Sequence, residues 1–311
     1  MKYKVVITKD EIKEINPDAC RLMEDHECIL VYCRRDELSS YIEDADAILI
    51  GTERCPGGLI ERAKKLKAIS RYGVGYDAID LEAATQHGII VANATGCNSK
   101  AVADLTLLLM LLCSRNVIYM NERLKKGNIE RPLGEELYQK TVGVIGTGRI
   151  GKEVISRCKG FGMKVLANDI SDYSEYAKEY NVEYTNKGRI YCESDYITVH
   201  VPKTSETINM ITNKEIGMMK KSVILINTSR GGVINEKDLA NALINKNVAA
   251  AGVDVSVCEP AVDNPLVHIK NCIFTPHAGA ATKEAYWMMG QIAAENVVEI
   301  LETGNCKNRV N

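Results

Sequence analysis

Residues Thr141–Asp169 read TVGVIGTGRIGKEVISRCKGFGMKVLAND. A short apolar run, Val142–Ile145, leads into Gly146-x-Gly148-x-x-Gly151. An amphipathic stretch follows through Lys159, then a second apolar run, Met163–Ala167, and an acid, Asp169. Strand, glycine turn, helix, strand and carboxylate come in the order of a dinucleotide-binding unit, whose acid lies ~20 residues beyond its glycines. Gly146 permits the sharp turn, Gly148 lets backbone approach a pyrophosphate, and Gly151 lets the helix pack close to the strand. Arg149 and Ile150 open that helix, whose N-terminus offers free N–H groups and a positive dipole end to phosphates. Asp169 accepts hydrogen bonds from a ribose diol and repels a 2′-phosphate, so the cofactor expected is NAD over NADP.

On the N-terminal side, residues 3–92 alternate short apolar strands with amphipathic helical patterns. Strands are read at Lys4–Ile7, Cys28–Tyr32, Ala47–Ile50, Lys67–Ser70 and Ile89–Ala92, with helices such as Leu59–Lys65 and Asp80–Gln86 between them. Such alternation predicts a parallel sheet covered on both faces. Residues 98–126 read as one long, mostly buried helix ended by Gly127. On the C-terminal side, strands are expected at Val142–Ile145, Lys164–Ala167, Tyr196–Val199, Val223–Asn227, Ala250–Val253 and Cys272–Phe274, a six-stranded sheet. Helices are expected at Gly148–Lys159, Lys187–Glu193, Asn213–Met219 and Glu236–Asn245, and a final long amphipathic helix over Thr282–Gly304. That helix is expected to return to the first sheet. The fold class is therefore α/β with two doubly wound parallel-sheet domains. A dinucleotide-binding domain over 98–282 is inserted into a flavodoxin-like substrate domain formed by 1–97 and 283–311.

Composition narrows the classes. A chain of 311 residues with 46% apolar residues can bury two cores, and a net charge of −2 points to neither nucleic acid nor an anionic membrane. The eleven cysteines are scattered singly, without a CxxC pair. That suits reduced thiols better than a disulfide framework or a zinc site, so no metal is expected. No signal-peptide core follows Met1, and the longest apolar run, Leu105–Cys113, is too short to span a bilayer. A cytoplasmic location is expected.

Three residues stand just after strands of the second series, where open α/β sheets place their ligand crevice. Arg230 follows VILINTS, Glu259 follows DVSVC, and His277 follows CIFTP. Singly, each has an ordinary explanation as a turn or loop residue. Together they supply a cation for a carboxylate and a histidine–carboxylate pair for proton transfer.

The ordered blocks GTGRIG, Asp169, HVP (200–202), INTSRGG (226–232), DVSVCEP (254–260) and TPHAGAAT (275–282) resemble the D-isomer-specific 2-hydroxyacid dehydrogenase family. GVGYDAIDL (73–81) and NSKAVAD (98–104) extend the resemblance over nearly the whole chain. Asp104 stands where the family more often has glutamate. The resemblance implies that Arg230 holds the substrate carboxylate and polarises the 2-oxo group, that His277 is the general acid and base, and that Glu259 orients the imidazole. It also implies that Val74, Gly75 and Asn98 belong to the substrate site. Thr228, Ser229, Arg230, Asp254, His277 and Gly279 would line the nicotinamide pocket, and Val201 and Pro202 the adenine or its ribose.

Arg71, directly before the glycine loop, resembles the phosphoglycerate dehydrogenase branch, in which a cation here meets the substrate phosphate. Arg131 is a second candidate for that contact. This implies 3-phosphoglycerate oxidation in serine biosynthesis, with a reductase for hydroxypyruvate, glyoxylate or another short 2-oxo acid as the same-class alternative. An NAD-sensing, corepressor-like binding protein is the alternative from another class. A chain ending at Asn311 is expected to lack the regulatory domain of many phosphoglycerate dehydrogenases, and serine feedback with it. A two-fold homodimer through the 98–126 region is expected, as in the family.

Overall fold

The computed structural model describes residues 2–171 and 173–311 of the chain. It divides into two compact units, Met1–Asn98 with Ala280–Asn311, and Ser99–Gly279 between them in sequence. Asn98 and residues 280–282 thus fall on the first unit's side of the breaks, slightly displaced from the boundaries expected above.

The first unit carries a five-stranded parallel sheet, β1 (Tyr3–Ile7), β2 (Cys28–Tyr32), β3 (Ala47–Ile50), β4 (Ala68–Arg71) and β5 (Ile90–Asn93), in the order β2-β1-β3-β4-β5. This is the flavodoxin-like order. Every residue of the central strand β3 is buried, as expected of a strand covered on both faces, and so is every residue of β5 at the sheet edge. The final helix, Lys283–Thr303, packs on β3, β4 and β5. Its ends are written in the sequence. The Thr282 hydroxyl accepts from Ala285 N at 3.1 Å, and Gly304 takes the left-handed conformation, φ 74°, that closes a helix. Its buried Asn296 donates to the Asn93 carbonyl at 3.0 Å, and Ser70 of β4 donates to the Ala293 carbonyl at 2.9 Å, so these buried polar groups are matched.

Among the described residues the second unit carries seven parallel strands, not six. They are β6 (Thr141–Ile145), β7 (Lys164–Asn168), β8 (Glu183–Tyr184), β9 (Tyr196–Val199), β10 (Ile224–Asn227), β11 (Ala250–Val253) and β12 (Cys272–Phe274), in the order β12-β11-β10-β9-β6-β7-β8. The strand missed from sequence, β8, is a two-residue edge element, too short for any apolar period to register. The order reverses between β6 and β9, so a topological switch point lies where the glycine turn leaves β6.

The helix expected over 98–126 is two helices, Ser99–Arg115 and Val117–Lys125, bent by 61°. The break is at Asn116, whose φ of 52° is left-handed, a conformation asparagine tolerates better than most residues. Just before it, the Ser114 hydroxyl bonds back to the Met110 carbonyl at 2.6 Å, a contact that tends to bend helices. The first helix buries Val102, Ala103, Leu107, Leu109 and Met110 in this unit, whereas the second buries none of its residues. Among the described residues no single helix is long and apolar enough to cross a membrane. Two other helices are shorter than expected. Leu59–Lys65 is represented by one turn, Gly57–Ile60, with glycine at its first two positions, and the helix at Asn213 stops at Ile216, before Gly217.

Candidate active site

The glycine turn is tightly built. Gly146 has φ 92°, and a Cβ there would lie 2.5 Å from the His200 carbonyl oxygen at the end of β9. A Cβ on Gly151 would lie 2.1 Å from the Gly146 carbonyl oxygen, so the helix Arg149–Gly160 is seated directly on the turn. Gly148 is the opposite case. No atom lies within 4 Å of the position its Cβ would take, and it caps the helix without a side-chain hydrogen bond. Space is therefore open beside Gly148 at the N-terminus of this helix, where the first N–H groups have no intrahelical partner, which fits a pyrophosphate.

Asp169, just after β7, closes the same crevice. Its carboxylate accepts from Thr147 N at 2.5 Å, from the Thr147 hydroxyl at 3.1 Å and from Ser171 N at 3.0 Å. Partial burial opposes ionisation, but these donors outweigh it and hold the carboxyl below its ordinary range, so it is charged at neutral pH. Tyr184 of the missed strand β8 donates to the Thr147 hydroxyl at 2.9 Å and completes this side. Val201 is half-buried beside Gly146, and Pro202 is exposed. The His200 imidazole between β9 and Val201 is pushed down to about 3 by burial and is neutral.

Arg230, Glu259 and His277 lie beyond the C-terminal ends of the adjacent strands β10, β11 and β12. His277 Nδ1 meets both carboxylate oxygens of Glu259, at 2.9 and 2.8 Å. A carboxylate can only accept, so Nδ1 carries the hydrogen and Nε2 is the atom left for a substrate. The Glu259 hydrogen bond and charge raise the imidazole above its ordinary value. Partial burial and the Arg230 charge oppose this, and Asp254 adds to it. Glu259 is itself held below its ordinary range. Burial opposes this, and the His277 and Ser256 hydrogen bonds and the Arg230 charge prevail. His277 has φ 54°, a left-handed conformation uncommon outside glycine, and its N–H donates to the Asp254 carbonyl at 2.9 Å.

Asp254 holds this loop. Nearly fully buried, its carboxylate accepts from the Thr275 hydroxyl at 2.6 Å, Ala278 N at 2.7 Å and Gly279 N at 2.8 Å. Burial raises its pKa against those donors. On β10, Asn227 braces the Arg230 turn. Its Oδ1 accepts from Ser229 N and Oγ at 3.1 and 2.9 Å, and its Nδ2 donates to the Arg230 carbonyl at 3.0 Å. Thr106 donates to the Val102 carbonyl, leaving its oxygen to accept from the Thr228 hydroxyl at 2.9 Å. A cavity of about 260 Å³ beside the pair is lined by Glu259, His277, Val262, Val267 and Phe274 among others.

The remaining candidates, Arg131 apart, belong to the first unit. Arg71 ends β4 and folds back over the glycine loop, its Nη1 donating to the Tyr72 carbonyl. Gly73, with φ 138°, accommodates it, since a Cβ there would lie 2.7 Å from Arg71 Nη1. The Val74 carbonyl accepts from Asn93 Nδ2 at 2.7 Å, and Val74 and Gly75 are half-buried. The Asn98 Oδ1 is buried without a hydrogen-bond partner. Arg131, in the second unit, is exposed.

Sequence reading missed Asn227, Thr106, Thr275 and Tyr184. Asn227 carries a signal, since asparagine at a strand end before Thr-Ser fits a side-chain-braced turn. The other three carry none, because their partners are distant in sequence.

The family model described as D-isomer specific 2-hydroxyacid dehydrogenase, NAD binding domain, matches residues 107–279. The chain belongs to that family, and its second unit is the family's NAD-binding domain. The D-3-phosphoglycerate dehydrogenase of Methanocaldococcus jannaschii is 44% identical over 282 residues, covering 89% of this chain and 54% of the relative. The chain thus spans about half the length of the curated relatives it matches first. The glyoxylate reductase of Thermococcus litoralis is 38% identical over 287 residues, covering 89% of this chain and 87% of the relative. Among solved structures, the D-lactate dehydrogenase of Aquifex aeolicus complexed with NAD and lactic acid superposes with a TM-score of 0.88 at 28% identity, over 99% of this chain and 98% of the other.

Proposed function

We propose that the chain is an NAD-dependent D-2-hydroxyacid dehydrogenase that oxidises 3-phosphoglycerate to 3-phosphohydroxypyruvate, a step of serine biosynthesis. In this reading unit Ser99–Gly279 holds the cofactor and the other unit is the substrate domain. The observation that carries it is the His277–Glu259 pair, with Nε2 left free and Arg230 on the neighbouring strand end. NAD, when bound, supplies and accepts the hydride. Arg230 holds the substrate carboxylate, His277 Nε2 protonates the 2-oxo oxygen in reduction and takes the proton back in oxidation, and Glu259 stabilises the imidazolium. Gly146, Gly148, Arg149, Ile150, Gly151 and Asp169 hold the dinucleotide. Val74, Gly75 and Asn98 contact the substrate, and Arg71 its phosphate.

The phosphorylated substrate is favoured by the 44% identity to a D-3-phosphoglycerate dehydrogenase and by Arg71. A short 2-oxo acid reductase is favoured by a glyoxylate reductase matched over nearly its whole length. Comparing kcat/KM for 3-phosphohydroxypyruvate, hydroxypyruvate and glyoxylate tests both. No NADH consumption with any of them would overturn the dehydrogenase reading in favour of an NAD-sensing protein.

The pH dependence follows from the pair. Reduction needs His277 protonated, and the Glu259 hydrogen bond raises its pKa above the ordinary histidine value. kcat/KM for reduction should hold through pH 6.5 and fall about tenfold per unit above the raised pKa, with oxidation showing the mirror image. A reduction profile already falling below pH 6.5 would contradict the assignment.

We also propose a homodimer through the two helices of residues 99–125. Leu108, Val117, Ile118 and Leu124 there are 44–63% exposed, apolar side chains that a partner chain would cover. Light scattering should give two chains per particle, and a one-chain mass would refute it.

A further inference from the structure

We propose that Glu236 is a positioning residue for the proposed acid–base pair, clamping the loop 256–264 so that Glu259 stays in register with His277. Glu236 opens the helix Glu236–Ile244 and lies outside the substrate and cofactor contacts proposed above. Its Oε1 accepts from Val257 N at 2.7 Å, and its Oε2 from Asn264 Nδ2 at 2.7 Å, with the Ser256 hydroxyl at 3.5 Å. One carboxylate thus pins both ends of the loop that carries Glu259. The two ends are also tied together, Asn264 Nδ2 reaching Ser256 Oγ at 2.9 Å. From this fixed point Ser256 N donates to Glu259 Oε1 at 3.2 Å, the same oxygen that receives His277 Nδ1. A hydrogen-bonded chain therefore runs from Glu236 through residue 256 to Glu259 and His277. The loop needs such a brace. Val257, Cys258, Glu259 and Pro260 are all exposed, and the element that next follows is the short turn Pro265–His268, capped by Asn264 itself. Gly231, next to Arg230, also rests on this peptide, since a Cβ there would lie 2.0 Å from the Ser256 carbonyl carbon.

The charged groups facing His277 are Glu259, Asp254 and Arg230, and none is altered by changing Glu236. The test uses the full ligand-free chain. Glu236→Gln keeps the size but sets an amide NH₂ against Val257 N–H or the Asn264 NH₂, and Asn264→Ala releases the far end of the loop. Ring NMR titration of His277 should move in both toward the midpoint found in Glu259→Gln. kcat/KM for 2-oxo acid reduction near neutral pH should fall roughly tenfold, with NADH binding unchanged. A His277 titration and pH profile identical to the unaltered chain, even with a lowered Tm, would reduce Glu236 to a structural residue and overturn the proposal. The inference rests on the dehydrogenase reading for its meaning, but the titration needs no turnover. If the unaltered chain reduces no 2-oxo acid, the proposed function fails while the NMR result still decides the role of Glu236.

Discussion

His277→Ala is expected to lower kcat for 2-oxo acid reduction by about 10³-fold while the dissociation constant for NADH barely changes. The size follows from the role. Hydride addition to a carbonyl carbon leaves charge on oxygen, and a positioned imidazolium with a raised pKa neutralises it in the same step. Glu259 maintains that protonated form by contacting Nδ1 with both oxygens. Dinucleotide binding should survive, because the glycine turn and Asp169 belong to β6 and β7, separated in the sheet from β12 by β9, β10 and β11. Alanine at φ 54° carries its own backbone strain, so His277→Asn is the better-behaved companion, asparagine being tolerant of left-handed geometry. Both variants should be equally slow. Activity within tenfold of the unaltered chain in either would remove His277 from the chemistry.

Arg71→Ala carries the second largest effect. kcat/KM for 3-phosphohydroxypyruvate should fall about 10²-fold, whereas hydroxypyruvate should lose no more than about threefold, because a charged hydrogen bond contributes ~1.5–3 kcal/mol and only the first substrate offers it a phosphate. Arg71 already donates to the Tyr72 carbonyl and covers Gly73, so its removal also loosens the glycine loop. That contribution would fall on both substrates alike, which is why the ratio is the quantity to read. Arg71→Lys should recover part of the ratio by restoring charge without the planar fork. Equal losses on both substrates would show that Arg71 supports the loop and leaves the phosphate alone, favouring a short 2-oxo acid as substrate.

Much of the architecture was legible in the chain because it depends on local rules. The period of apolar residues placed eleven of the twelve strands among the described residues, and the amphipathic pattern over Thr282–Gly304 placed the last helix. What failed depended on weak or competing local signals. β8 is two residues long, and the helix over 98–126 kept its apolar character across a left-handed residue that asparagine permits but does not require. The periodic pattern continues through Asn116, and only the backbone changes direction. Within the proposed site, Arg230, Glu259 and His277 were visible as chemistry-bearing residues after strands. Thr106, Thr275 and Glu236, which hold them or their neighbours, were not, since a threonine or a glutamate on a helix's first turn is ordinary anywhere, and Asn227 offered only the local signal of a braced turn.

The chain alone determined the glycine turn, the acid that follows it and the class of reaction its strand-end residues can support, because each needs particular residue types at short spacing. Only folding decided that a sheet with the order β12-β11-β10-β9-β6-β7-β8 brings the ends of β10, β11 and β12 side by side. It also decided that one carboxylate on the helix Glu236–Ile244 spans the loop bearing Glu259. Those contacts join residues that no local pattern relates. Their partners are chosen by sheet order and by the need to satisfy buried polar groups once water has been excluded.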